Sequence, residues 1–433
     1  MPLPRVRRAL DAVSEALARV LLRLFFREIE IAGREHVPAG RPLVLVANHE
    51  NNLIDPILII GFSGARPRFL AKSTLFSHPV VRPLLALSGA LPVYRRQDDR
   101  ERVARNVDTF ARCAELLASG GNIALFPEGQ SHNSPHRLPL KSGAARIILE
   151  AGAHLGVSGI AVVPVGLTYE YKDLFRSRVL VQFGPPLDPA PEAAAYAAGP
   201  RKAVRDLTER MAEALAELTL NHGSWDEARL VARAAALLAD DPEGALPLQS
   251  SWRLRKWVWE RYQRLRAADP DRAAALVRQV EHYDRAAAAV DVENPSRRPW
   301  SWLRHGPLLP LALVGTLLNY IPYHLPGRLS RWLTRDPGEP ATYKLVSGMV
   351  LFPLFWALEA ALALRWGGLS WAALTLVLAP LSGYAALLVK EAALDWRNAR
   401  RRQEHRVHSG EEWTRLLAEH ARLRRELATA ARE

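Results

Sequence analysis

The sequence predicts an α/β domain, with a mostly parallel or mixed central sheet flanked by helices, followed by a helical connector and a C-terminal transmembrane helical hairpin. Three observations predict it. At 433 residues the chain exceeds one ordinary core, so two or three structural units are expected. From about Glu28 to Asn221 the short apolar runs PLVLVA, PRFLAK, GALPVY, NIALFP, AVVPVGLTY and VLVQFGPP alternate with helical stretches such as Glu101 to Ala118 and Lys141 to Leu155. Strands buried on both faces of a sheet read this way. Two later segments, 345–364 and 369–389, carry Glu359 as their one charge, and each is close to the roughly 20 residues that span a bilayer.

In residues 1–27, Val6, Leu10, Val13, Leu17, Val20, Leu21 and Leu24 recur at three- and four-residue steps with Arg5, Arg8, Asp11, Glu15 and Arg19 between them, the period of an amphipathic helix. Such a helix either packs on the domain's own core or lies in a bilayer interface with its arginines toward lipid phosphates. The segment is assigned to the interface. Asp11, Glu15 and Arg19 interrupt the apolar core a signal peptide needs, so it is read as a mature helix.

Residues 28–221 are the α/β domain, whose function should lie at the loops leaving the carboxyl ends of its strands. Residues 222–300, rich in Ala, Leu and Arg with a break at Asp269 to Arg272, read as a connector of two or more helices. Residues 301–392 are the membrane region. Within it, 308–325 holds Pro310, Asn319, Pro322 and His324 and reads as re-entrant or interfacial, whereas 345–364 and 369–389 read as spans joined by a tip at Arg365 to Gly368. Arg328, Arg331, Arg335 and Lys344 precede the hairpin and Lys390, Arg397, Arg400, Arg401 and Arg402 follow it. That bias puts both ends, and the α/β domain with them, on the cytoplasmic side of an inner membrane. Residues 393–433 are a basic cytoplasmic helical tail.

Lys and Arg number 58 against 45 Asp and Glu, a net charge of +13, which favours an anionic partner such as nucleic acid, a phospholipid surface or a phosphorylated substrate. No stretch interleaves aromatic with basic residues as a single-strand binder does, so nucleic acid is not expected. Cys113 is the one cysteine; it excludes an intramolecular disulfide framework and a cysteine-rich metal site.

The candidate chemistry starts at NHENNLIDP, residues 48–56, immediately after the apolar run LVLVA. A zincin helix needs a second histidine where Leu53 stands, and a calcium loop needs alternating oxygen ligands and a turn glycine. Neither pattern is present, and an acid/base pair remains. A six-residue step on a helix turns through about 600° and leaves the side chains unaligned, so His49 and Asp55 meet only across a loop. Pro56 disfavours helix at the residue before it, which makes Asp55 either an N-cap for PILIIGF, a carboxylate that orients the imidazole, or both. With no Ser or Cys beside it, the histidine points to direct deprotonation of a substrate hydroxyl. GALPVYRR ends a strand on Arg95 and Arg96, and FPEGQSHNSPHRLPLKSG carries Ser131, Arg137 and Lys141 before a helix. Converging cations and loop amides near a helix start suit a phosphate. His132 and His136 have no third ligand in sequence and read as a solvated loop; no metal is expected.

These blocks, NHENNLID, GALPVYR, FPEGQS and VVPVGL in order over roughly residues 30–190, resemble the phospholipid/glycerol acyltransferase superfamily of lysophosphatidate and glycerol-3-phosphate acyltransferases. The resemblance implies a glycerol-3-phosphate acyltransferase-like fold. It also implies transfer of a fatty acyl group from acyl-CoA or acyl carrier protein, as co-substrate with no cofactor, to a hydroxyl of glycerol-3-phosphate or its 1-acyl derivative at a membrane. On that pattern His49 is the general base and Asp55 its orienting carboxylate. Arg95, Glu128, Gly129 and Ser131 form the glycerol-phosphate site, to which position and charge add Lys141, and Pro164 lies near the acyl chain. Five residues separate His49 from Asp55 where the family usually has four, a spacing similar to fungal-type enzymes that acylate glycerol-3-phosphate or dihydroxyacetone phosphate. The reading from another class is a non-catalytic membrane protein that binds anionic lipid through its basic faces.

Overall fold

The structure, a computed structural model, describes residues 4–79, 81–94, 106–239, 246–289, 305–334, 339–408 and 410–430. The chain forms two compact units, Met1–Asn221 with Thr334–Leu345, and His222–Leu333 with Val346–Glu433.

The first unit is built on seven strands: β1 (Glu28–Ala32), β2 (Leu43–Ala47), β3 (Arg68–Lys72), β4 (Leu91–Val93), β5 (Asn122–Leu125), β6 (Ala161–Tyr169) and β7 (Arg178–Phe183). Their order across the sheet is β1-β7-β6-β2-β5-β3-β4. Every neighbouring pair is parallel except β6 with β7, so the sheet is mixed with a parallel centre. Every residue of β2 is fully buried, which is why LVLVA is apolar throughout instead of alternating. β1 carries no such run: EIEIA lies at the edge of the sheet, and none of its residues is fully buried.

Helices cover the sheet: α1 (Pro4–Phe25), α2 (Ile54–Phe62), α3 (Val81–Ser88), α4 (Asn106–Ala118), α5 (Gly143–Leu155), α6 (Ala190–Tyr196) and α7 (Pro200–Leu218). On one face Val44, Val46, Ile123, Leu125 and Val162 pack with Leu117, Ile147, Ile148, Leu207 and Met211 of α4, α5 and α7. Along α1 the inward residues Ala18, Leu22 and Phe25 are buried, as is Phe26 just past its end, and the helix lies against α2 and α3. Two of its cations, Arg7 and Arg19, are held on the protein side. Arg7 and Arg68 converge on Asp11, Arg68 in a two-toothed grip at 2.8 and 2.8 Å, and Arg19 donates to the Gly61 carbonyl at 2.7 Å. Arg176 caps the far end by donating to the Arg23, Leu24 and Phe26 carbonyls, satisfying acceptors a helix end leaves open. Packing on the domain's own core therefore claims Arg7 and Arg19, while Arg8 and Arg23 are exposed. A second stripe, Val6, Val13, Val20 and Leu24, remains exposed at 48, 56, 56 and 42 %.

In the second unit α8 (Trp225–Ala239), α9 (Leu248–Ala268) and α10 (Pro270–Ala289) form the connector, with the break between the last two falling in DPDR as the sequence indicates. The chain continues with α11 (Leu309–Leu318), α12 (Tyr320–Leu333), α13 (Pro340–His408, beginning in the first unit) and α14 (Gly410–Ala430). α14 is not a solvated tail. Its Leu423 and Leu427 pack with Leu237 and Val280 and with Val231 and Val258 of the connector.

Residues Pro340–Arg397 of α13 are long and apolar enough to cross a membrane. The helix breaks at Gly368, where φ is 76°, within the expected tip. Asn319 shows that it folds back: its amide donates to the Ala379 carbonyl at 3.0 Å and its oxygen accepts from the Trp356 indole at 2.9 Å, although those residues lie on opposite sides of Gly368. α11 and α12 are bent by 55° at this Asn319. Gly315 lets them approach the hairpin, since a Cβ there would lie 1.9 Å from the Ser382 carbonyl oxygen.

Candidate active site

The site forms where β2 ends. Asn48, the next residue, continues the strand with its side chain: its oxygen accepts from Leu167 N–H at 2.8 Å and its amide donates to the Leu167 carbonyl at 2.9 Å. That fixes the mouth of β2 against β6, and His49 follows. The imidazole stacks flat on Phe126, centroids 4.0 Å apart and planes 11° from parallel, and Nδ1 donates to Asp55 Oδ2 at 2.8 Å. Asp55 is fully buried. The same oxygen accepts the Glu50 and Asn51 N–H groups at 2.9 and 2.8 Å, so three donors converge on it.

This geometry corrects the N-cap reading of Asp55. α2 begins at Ile54 with Leu53 as its cap residue; the Asp55 side chain turns back to the loop amides and the imidazole rather than forward to the helix. The contact with the imidazole is present, and the capping geometry is not. Thr342 takes up the Leu53 N–H instead, at 3.2 Å.

Opposite lies the loop after β5. Glu128 is buried; its Oε2 accepts from His132 Nε2 and from Leu138 N–H. The Ser134 N–H donates to His132 Nδ1, which assigns the imidazole proton to Nε2. Glu128 Oε1 is buried with no partner among the described residues. His132 is therefore a partner of Glu128 and not part of a solvated loop, while His136 is exposed. Gly129, at φ +77°, permits the turn and the approach of Lys141, whose Nζ would lie 2.4 Å from a Cβ there. Ser131 donates its hydroxyl to Asn52 Oδ1, tying this loop to the His49 loop rather than leaving the hydroxyl open.

The structure thus brings His49, Asp55, Glu128, Gly129, Ser131 and Lys141 to one end of the sheet. Arg95, with Arg96, lies outside the described residues. Pro164 is buried inside β6, opposite Val46. Its carbonyl accepts from Gly184 N–H at 2.8 Å, and a strand residue's N and C=O point the same way, so the missing N–H falls past the end of β7 and interrupts no bond to β2.

Sequence reasoning missed Asn48, Phe126, Tyr169 and Lys172. Tyr169, at the end of β6, donates its hydroxyl to Asp55 Oδ1. Lys172 reaches the carbonyls of Glu50 and His132, both at 3.3 Å. Asn48 and Phe126 adjoin the His49 and Glu128 blocks and were legible as neighbours; no local pattern marks Tyr169 or Lys172. The Glu50 carboxyl is pushed up to about 7, first by burial and then by Asp55, against the pull of Lys172, Asn48 and His132.

The site pairs a histidine with a buried carboxylate at the end of a mixed sheet, and residues 28–168 match the Acyltransferase family model. The chain's relatives include glycerol-3-phosphate O-acyltransferase 2 of Saccharomyces cerevisiae, 25 % identical over 65 % of this chain and 52 % of that protein. They also include the chloroplastic 1-acyl-sn-glycerol-3-phosphate acyltransferase LPAT1 of Arabidopsis thaliana, 32 % identical over 33 % of this chain and 36 % of that protein. Among solved structures, the 1-acyl-sn-glycerophosphate acyltransferase PlsC of Thermotoga maritima is 24 % identical, covering 49 % of this chain and 82 % of that one with a TM-score of 0.37. The chain spans about half the length of the fungal relatives it matches.

Proposed function

We propose that the protein is a membrane-bound O-acyltransferase that moves a fatty acyl group from a thioester of CoA or acyl carrier protein to a hydroxyl of glycerol-3-phosphate or its 1-acyl derivative. The observation that carries this reading is the His49–Asp55 pair. Asp55 accepts the Nδ1 proton, so Nε2 is the basic nitrogen. Nε2 takes the proton of the acceptor hydroxyl as its oxygen attacks the thioester carbonyl; the tetrahedral intermediate collapses with cleavage of C–S, and the same proton passes to the departing thiolate. No covalent enzyme intermediate is required.

Two features support a glycerol phosphate as acceptor. The Glu128 oxygen left without a partner among the described residues is a spare acceptor for a substrate hydroxyl, and a carboxylate repels phosphate, so Glu128 takes the glycerol end while Lys141 and Arg95 take the phosphate. The fatty chain is assigned to the β6 side, where Pro164 lies. The fold-back of α13 at Gly368 and its flanking cations support insertion in the inner membrane with both ends cytoplasmic, and the exposed stripe of α1 supports contact of that helix with lipid.

The test uses membranes containing the full chain, a labelled acyl-CoA or acyl carrier protein, and each acceptor separately. His49→Ala is expected to abolish the labelled lipid with folding preserved. Near-normal turnover in that variant refutes the mechanism, and salt-sensitive lipid binding without transfer would favour a non-catalytic lipid-binding protein.

A further inference from the structure

The two oxygens of Asp55 are used differently. Oδ2 holds His49, Glu50 N–H and Asn51 N–H, while the described partner of Oδ1 is the Tyr169 hydroxyl. Tyr169 reaches it from the last residue of β6, with its ring against Phe26, centroids 6.0 Å apart. Phe26 is itself buried beside the capped end of α1. The phenol stays protonated at working pH, because burial, followed by the Asp55 charge, holds it well above the ordinary tyrosine value.

We propose that Tyr169 is a positioning residue of the transfer reaction: it completes a chain Tyr169–Asp55–His49 and sets the pH at which His49 becomes the free base. The proposal rests on the reading of His49 as that base. A hydrogen bond to Oδ1 stabilises the carboxylate anion and weakens its hold on the imidazole proton. Without it Oδ1 is a buried acceptor with no donor, Asp55 becomes more basic, and the imidazolium is favoured. Among the described residues, Glu50 acts on the Tyr169 phenol together with Asp55, and Lys172 and His132 act in turn on Glu50. The Glu50 carboxyl is pushed up to about 7, so the comparison is made in a Glu50→Gln background.

The experiment measures the rate at which diethyl pyrocarbonate, which attacks neutral imidazole, modifies His49 in the full detergent-solubilised chain, followed by peptide mass spectrometry across pH. Tyr169→Phe is expected to move the midpoint up by about half to one unit, with the acid limb of kcat/KM moving alongside it. Site-specific 3-fluorotyrosine at position 169, a stronger donor that preserves packing, is expected to move it down. In an Asp55→Asn background neither change should shift it. A midpoint that stays fixed under both Tyr169 changes overturns the proposal, even if turnover falls equally at every pH. The modification readout needs no acyl transfer, so a chain that shifts as expected yet transfers nothing would refute the functional reading and leave this one standing.

Discussion

A carboxylate and an imidazole separated by five residues form a working pair only because the intervening loop turns its own amides inward. Asp55 Oδ2 collects the Glu50 and Asn51 N–H groups as well as the ring, so the charge that orients His49 also closes the loop. Asp55→Asn separates the two roles: it keeps the volume and one acceptor oxygen but not the charge that stabilises the imidazolium. It is expected to lower kcat by about 10³- to 10⁴-fold with a small change in KM for the glycerol phosphate acceptor, measured by steady-state kinetics. A comparable loss in KM would mean the loop itself had collapsed. The histidine, the aspartate and their loop were legible from NHENNLIDP, because proline and strand constrain that stretch locally. Tyr169 was not, since its partner lies 114 positions away in the chain, and nothing in LTY tells which end of β6 will face the loop after β2.

At the level of elements, α1 does two jobs with two stripes. The inward stripe is docked by Leu22, Phe25 and Phe26 and by the Asp11–Arg68 grip; the outward one stays bare. Leu22 is fully buried, and Leu22→Ala is expected to cost about 2–5 kcal/mol. Differential scanning calorimetry of the detergent-solubilised chain should show the melting of the first unit lowered. All twelve tryptophans lie at position 225 or beyond, so the fluorescence transition should stay in place; a shift in both would mean that the units do not unfold separately. The period of α1 was plain in sequence, but an apolar stripe fits either lipid or protein. Only the position of Gly61 and Arg68 decides that one side is taken by α2 and the sheet edge.

Across the whole molecule, the second unit carries its own pH sensitivity. His222 is buried against Trp259 and its imidazole is pushed down to about 4, chiefly by burial, with Arg255 adding and Glu227 opposing. Its folded value lies below the unfolded value of about 6.5, so between those limits the unfolded chain binds a proton that the folded chain refuses. This group's contribution to the stability of the unit is therefore present above pH 6.5 and is lost progressively as pH drops toward 4. Tryptophan fluorescence during chemical unfolding reads it directly. His222→Phe should flatten the dependence, and an unchanged slope would assign it to other groups.

The sequence by itself determined the apolar strands of the sheet centre, the connector with its break, the hairpin turning near Gly368, and the order of the four motif blocks. Each of these is written in local periodicity or in a run of one solvent preference, which adjacent residues suffice to specify. Tertiary structure decided the edge strand β1, the return of α14 onto the connector, the docking of α1, the pairing of His132 with Glu128, and the contact of Tyr169 with Asp55. These depend on which distant surfaces meet, and a buried polar group is satisfied by whatever donor the fold delivers to it, a fact no neighbouring residue records.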